Sequence, residues 1–259
     1  MLNNIPPVTK NLLFINIFVF IATFLLAAKG IDVNAILGTH YIGSARFQPY
    51  QVITHMFAHD GFWHILMNMW LFVMLGGYLE RLWGPKRFFI FFLLCGFAAF
   101  LMQNAISAYD IFTLKSKLSA SGYDVSTLDY FIKNSSNMDD CFTSVATHYK
   151  FDKFEEMPNN DIIKNYVANS FSSMVGASGA VFGVLAAFAI LFPNQEFLLY
   201  FAIPVKAKYL VGAYFLFEVY LAFQNDPSDR VAHLAHVGGA IMGGLIVWYW
   251  RRKDRSNFY

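Results

Sequence analysis

Two glycine-rich stretches each carry a side chain able to do chemistry: MVGASGAVFG at 174–183 and HLAHVGGAIMGG at 233–244. Ser178 in the first is a weak nucleophile by itself, because its hydroxyl stays protonated at neutral pH until a base comes within hydrogen-bond reach. His236 in the second is a base of that kind. A third stretch, FWHILMNMW, holds His64 and Asn68, four residues apart and therefore on one helix face. Imidazole and carboxamide groups can both donate to the oxyanion that forms when an amide carbonyl is attacked. The chemistry these four residues could do together is acyl transfer.

Each fragment also has a purely structural reading. Gly179 and Gly183 have the small-xxx-small spacing that lets membrane helices pack closely, and Ser178 could be one more small residue there. His236 could be an interfacial histidine held by a carbonyl or water, His64 a marker of the membrane interface, and Asn68 an interhelical hydrogen-bond donor. Ala180 stands where the soluble nucleophile elbow G-x-S-x-G needs its last glycine, which removes the α/β-hydrolase reading.

The positioning elements follow from composition. Of 259 residues, 57% are hydrophobic and only 14% charged, which indicates a membrane protein rather than a soluble domain. About 20 apolar residues cross the hydrocarbon core as a helix. Six spans are predicted, at 11–28, 62–79, 88–108, 175–192, 209–224 and 231–250, with no charged residue expected deep within them. The expected fold class is all-α, a six-helix bundle forming one domain over 1–259, because lipid leaves open sheet edges unsatisfied. The first run lacks the small-x-small site of a cleaved leader in LLAAKG and is kept as a helix. Two cysteines, Cys95 and Cys141, make no disulfide framework. A net charge of +2 gives no reason to expect a nucleic-acid partner.

With a cytoplasmic N-terminus, ten of the nineteen Lys and Arg fall in short cytoplasmic flanks: Lys10, Arg81, Lys86, Arg87, Lys206, Lys208, Arg251, Arg252, Lys253 and Arg255. Both termini are therefore expected inside. Residues 109–172, rich in Ser, Asn and Asp, read as a water-facing insertion with a short helix or two, either a lid over a site or a tolerated loop. In this orientation Ser178, His236 and the His64–Asn68 pair all lie near the outer end of their spans. Packing alone does not account for four such residues at one depth. No acidic residue lies beside them in sequence, so a Ser–His dyad is the economical proposal, and His233 is taken as a polar boundary residue.

These motifs resemble the rhomboid family of intramembrane serine proteases: GASG at 176–179 its nucleophile motif, AHVGG at 235–239 its sixth-span histidine motif, and HILMN at 64–68 its H-x-x-x-N. The resemblance covers the six-span core and excludes the insertion. It implies Ser178 as nucleophile, His236 as general base and acid, and an oxyanion hole from the Ser178 backbone N–H, His64 and Asn68. It further implies structural roles near the site for Gly176, Gly179, Gly239 and Gly243, and for Phe182 packing on the histidine. Glu80 and Arg81 resemble the polar cluster at the cytoplasmic end of the second span. Substrates would be transmembrane or juxtamembrane segments, the surroundings membrane lipids, and no metal or organic cofactor would be needed. The location implied is a multi-pass protein of the bacterial inner membrane.

Two features depart from the family pattern: Tyr50-Gln51 stands where many members have Trp-Arg, and the 109–172 segment is long. By resemblance, 225–230 would be a mobile flap. Two other readings stay open, an inactive relative or transporter that binds client helices, and a metalloprotease using His55, His59 and His64. The latter lacks H-E-x-x-H and with it the usual paired ligands and glutamate.

Overall fold

The computed structural model describes residues 4–199, 203–224 and 231–253, and the chain divides into two compact units. The first lies within 1–38, 52–103 and 175–259, the second within 39–51 and 104–174.

The first unit opens with helix α1 (Pro7–Ala27), whose leading proline has its φ preset for the first helical turn. Helix α2 (Phe62–Trp83) is bracketed by Gly61 and Gly84 at φ +94° and +81°, and a π-turn at Phe72–Gly76 interrupts it. Helix α3 (Pro85–Ala120), whose residues from 104 onward belong to the second unit, again begins on proline and stops before Gly122 at φ +84°. Nothing in AYDIFTLKSKLSA breaks a helix, so α3 extends past the boundary at 108 expected from hydropathy. These three helices are long and apolar enough to cross a membrane. Only 11% of the α1 span is buried inside the protein, and Phe14, Phe18, Ile21, Phe24 and Leu25 point outward, an apolar surface suited to lipid.

Glu80 links α2 to α1. Its carboxylate is buried and accepts the backbone N–H groups of Val8 and Thr9 at 2.8 and 2.7 Å and the Thr9 hydroxyl at 2.7 Å. The first N–H groups of a helix have no intrahelical partner, and a carboxylate there also meets the positive end of the helix dipole. Arg81 donates to the Asn4 carbonyl. The expected polar cluster is therefore a helix cap delivered from another helix.

The second unit contains α4 (Val125–Asn134), α5 (Met138–His148) and α6 (Asn160–Phe171), three helices where one or two were expected. Each places an i, i+4 apolar pair inside: Leu128 with Ile132, Cys141 with Val145, Ile163 with Val167. The polar residues that dominate the segment cover the opposite faces. Asp124 and Asn137 cap α4 and α5 by accepting N–H groups at 3.0 and 2.8 Å. Asp124 has its pKa lowered to about 2 by hydrogen bonds from Thr127 and Ser126. Arg46 donates to the carbonyls of Ile132 and Ser135 at 3.1 and 3.0 Å and lies over the Phe171 ring. Gln51 is buried here, accepting the N–H groups of Gln48 and His40, while Tyr50 is exposed.

The chain returns to the first unit through α7 (Ser178–Leu191), an antiparallel hairpin of β1 (Glu196–Leu199) and β2 (Ile203–Lys206), α8 (Ala207–Gln224) and α9 (His233–Lys253). The hairpin, with Glu196 opposite Lys206, departs from an all-helical fold. Helix α7 is apolar but has only 14 residues. Glu218 interrupts the apolar character of α8, as His233 and His236 interrupt that of α9. The proposed flap at 225–230 lies outside the described residues. Aromatic packing joins the core: Phe72 against Phe92 at 5.0 Å and Trp83 against Trp250 at 5.1 Å.

Candidate active site

Glycines set the helix spacing that makes the site. A Cβ added at Gly239 would stand 1.8 Å from the carbonyl oxygen of Gly179, and one at Gly243 would stand 2.4 Å from that of Gly183. Helices α7 and α9 therefore meet backbone to backbone, as small-xxx-small packing requires. On its other side α7 is pressed against α3, where a Cβ at Gly179 would fall 2.3 Å from Ala99 Cβ.

That contact brings together the two side chains singled out from sequence. Ser178 Oγ lies 2.8 Å from His236 Nε2. Ser178 is the first residue of α7 and half-buried; His236 is 7% exposed. Phe182, one turn after the serine, stacks on the imidazole with centroids 4.2 Å apart and planes 7° from parallel. Tyr214 packs on Phe182 with ring centroids 5.0 Å apart.

The dyad expectation needs correction. His236 Nδ1 is 2.8 Å from Glu218 Oε2, and His233 Nδ1 is 2.7 Å from the same oxygen. Glu218 is 3% exposed. The fifth apolar run was thus not free of charge, and His233 is a partner of this carboxylate rather than a simple boundary residue. A signal was present, since an acidic residue within an apolar helix is costly and is by default a functional candidate. Adjacency in sequence was the wrong criterion, because 18 residues separate Glu218 from His236.

His64 faces the same place. Its Nδ1 accepts the Asp60 N–H at 3.3 Å, so in the neutral ring Nε2 carries the proton and can donate. A Cβ added at Gly176 would be 2.8 Å from that Nε2 and 3.5 Å from Ser178 Oγ. Gly176, at φ +122°, therefore holds open the space between imidazole and hydroxyl. If the site carries out the acyl transfer its residues are equipped for, Gly176→Ala is expected to displace His64 and lower kcat about 10²-fold, the scale of losing one oxyanion donor, with KM little changed. Steady-state cleavage kinetics check this, and an unchanged kcat would show that His64 does not serve the reaction. Asn68 is buried, and one of its amide N–H groups bonds the His64 carbonyl at 3.0 Å, within its own helix rather than between helices.

Glu218, His233 and His236 offer donor atoms within 4.8 Å of one another, and no other such group of three occurs among the described residues. Their separations of 2.7 and 2.8 Å are those of hydrogen bonds. His55, His59 and His64 form no comparable group, so the metalloprotease reading built on those three histidines lacks converging ligands. His59 is buried with neither ring nitrogen hydrogen-bonded, 5.0 Å from the His64 ring. Burial, and secondarily His64, lowers its pKa to about 3, so it is neutral.

Comparison with known proteins gives concordant findings. The Rhomboid domain family model matches residues 46–132 and 159–253, so the match reaches into the segment thought to be an insertion and omits only its middle. An uncharacterized mitochondrial rhomboid protein of Schizosaccharomyces pombe is 38% identical over 96 residues, which is 34% of this chain and 24% of that protein. The mitochondrial rhomboid protein 1 of Saccharomyces cerevisiae is 39% identical over 79 residues, 29% of this chain and 21% of that protein.

Proposed function

The chain belongs to the rhomboid family, and on that premise we propose that it is an intramembrane serine endopeptidase cleaving transmembrane or juxtamembrane segments of membrane proteins. The observation that carries the proposal is the 2.8 Å contact of Ser178 Oγ with His236 Nε2 inside an apolar helix bundle. In this reaction His236 takes the hydroxyl proton as Oγ bonds to the scissile carbonyl carbon. Negative charge moves to the carbonyl oxygen, where the Ser178 backbone N–H at the start of α7, His64 Nε2–H and an Asn68 N–H would receive it. The C–N bond then breaks, and the proton held by His236 passes to the leaving amine. Water repeats the cycle on the acyl-enzyme, releasing the acid and restoring the serine. These residues suffice, with no metal or organic cofactor.

The proposed setting is six spans with both termini cytoplasmic, and residues 1–259 as one protease domain with 109–172 facing water. Helix α7 supports a buried site, since 14 residues extend about 21 Å against a hydrocarbon core of about 30 Å. With its C-terminal end at one membrane surface, a helix that short would leave its serine end below the other. The protein is a membrane protein. Both relatives are mitochondrial by name, so the expectation of a bacterial inner membrane finds no support in them. An inactive, client-binding relative would have no use for a hydrogen-bonded serine and histidine.

The test is reaction of the purified chain in liposomes with a serine-directed phosphonate, alongside a reporter transmembrane substrate. Mass spectrometry is expected to place the adduct on Ser178, with cleavage lost in step. No adduct and no cleavage of any reporter would overturn the proposal.

A further inference from the structure

We infer that Glu218 is a positioning residue for the proposed hydrolysis: it holds His236 with the proton on Nδ1 and stabilises the imidazolium formed as Ser178 attacks, while His233 holds the carboxylate in place. The inference rests on the protease reading and adds a role for two residues.

The argument begins with what Phe182 leaves undecided. Stacking at 4.2 Å and 7° confines the imidazole to a plane, yet a stacked ring is equally content with its proton on either nitrogen. Only Nδ1–H leaves the Nε2 lone pair free to accept from Ser178, so a tautomer must be chosen for the base to work. An ionised carboxylate can only accept, and Glu218 Oε2 at 2.8 Å from Nδ1 makes that choice. It also places negative charge beside the ring that becomes positive in the transition state.

Glu218 in turn is 3% exposed on an apolar helix, where an unpaired carboxylate is strongly disfavoured. His233 Nδ1, at 2.7 Å from the same oxygen, supplies a second donor. The two histidines lie three apart, so one face of α9 presents both to a single carboxylate from α8. The result is a chain of hydrogen bonds, His233 to Glu218, Glu218 to His236, His236 to Ser178, each 2.7–2.8 Å long. A cluster serving structure alone needs no serine at its end.

The experiment compares wild type, Glu218→Gln, Glu218→Asp and His233→Leu as full chains in liposomes. Glu218→Gln keeps the volume and removes the charge. Its kcat is expected to fall about 10²–10⁴-fold with KM changed by no more than about twofold, since the loss is confined to the transition state. Glu218→Asp should restore part of the rate, and His233→Leu should lower kcat by about tenfold through a loosened carboxylate. A Glu218→Gln enzyme within about threefold of an active wild type, or one altered in KM alone, would overturn the inference. So would loss of wild-type activity on chelation, which would assign the three residues to a metal. Should Glu218→Gln fail to fold, the Asp and Leu variants decide by the same criteria.

The inference is separable from the protease reading through the imidazole itself. In a Ser178→Ala background, ring-nitrogen shifts of isotope-labelled histidine are expected to show His236 protonated on Nδ1, and Glu218→Gln to shift protons to Nε2. An unchanged tautomer would overturn the role of Glu218 even if cleavage is confirmed. The expected change would sustain the geometry even if no substrate is cut.

Discussion

Ser178→Ala is expected to lower kcat about 10⁶-fold, the loss seen when a nucleophile acting in concert with its base is removed. The substitution deletes one oxygen whose partner is His236 and leaves the rest of the site in place. Stability is expected to change by no more than about 1–2 kcal/mol, the scale of one buried hydrogen bond. Ala177 at the N-cap makes no side-chain capping bond, so α7 does not depend on the serine for its start. Thermal unfolding together with reporter cleavage separates the two effects. A loss of cleavage smaller than about 100-fold, in a folded variant, would show that another group is the nucleophile.

Gly239→Ala is expected to damage fold and activity together. The added methyl would sit 1.8 Å from the Gly179 carbonyl oxygen and 2.6 Å from its carbon, both backbone atoms of α7. A side chain could rotate away, whereas a carbonyl moves only with its helix. Ordinary overpacking costs about 1–3 kcal/mol, and a backbone collision belongs at or above the top of that range. Relief requires α7 and α9 to separate by roughly 1 Å, enough to take His236 out of good contact with Ser178 and to reduce the rate about 10²-fold. Gly212→Ala on α8 is the matched control, because a Cβ there meets nothing, and helix propensity favours alanine by up to about 1 kcal/mol. Equal melting temperatures and rates for wild type and Gly239→Ala would mean that the helices are not held by these glycines.

Much of the site was legible beforehand. Ser178, His236, His64 and Asn68 belong to short local patterns, and their placement follows from where each apolar run begins. Glu80 was legible as a polar anchor, though that it caps α1 was not, since an orphan N–H group advertises no partner in sequence. The second unit was underestimated for a different reason. Its apolar residues come as single i, i+4 pairs on short helices, such as Leu128 with Ile132, and are outnumbered by the polar residues around them.

By itself, the sequence determined that this chain is largely helical and apolar and carries Ser178, His236, His64 and Asn68 near the starts of apolar runs, because hydropathy and small-residue spacing are properties of contiguous residues. The tertiary structure alone decided that Glu218 meets both His233 and His236. Which face of α8 turns toward α9 depends on how the helices rotate and cross, and that is settled by packing across all of them, the glycine contacts of α7 and α9 included.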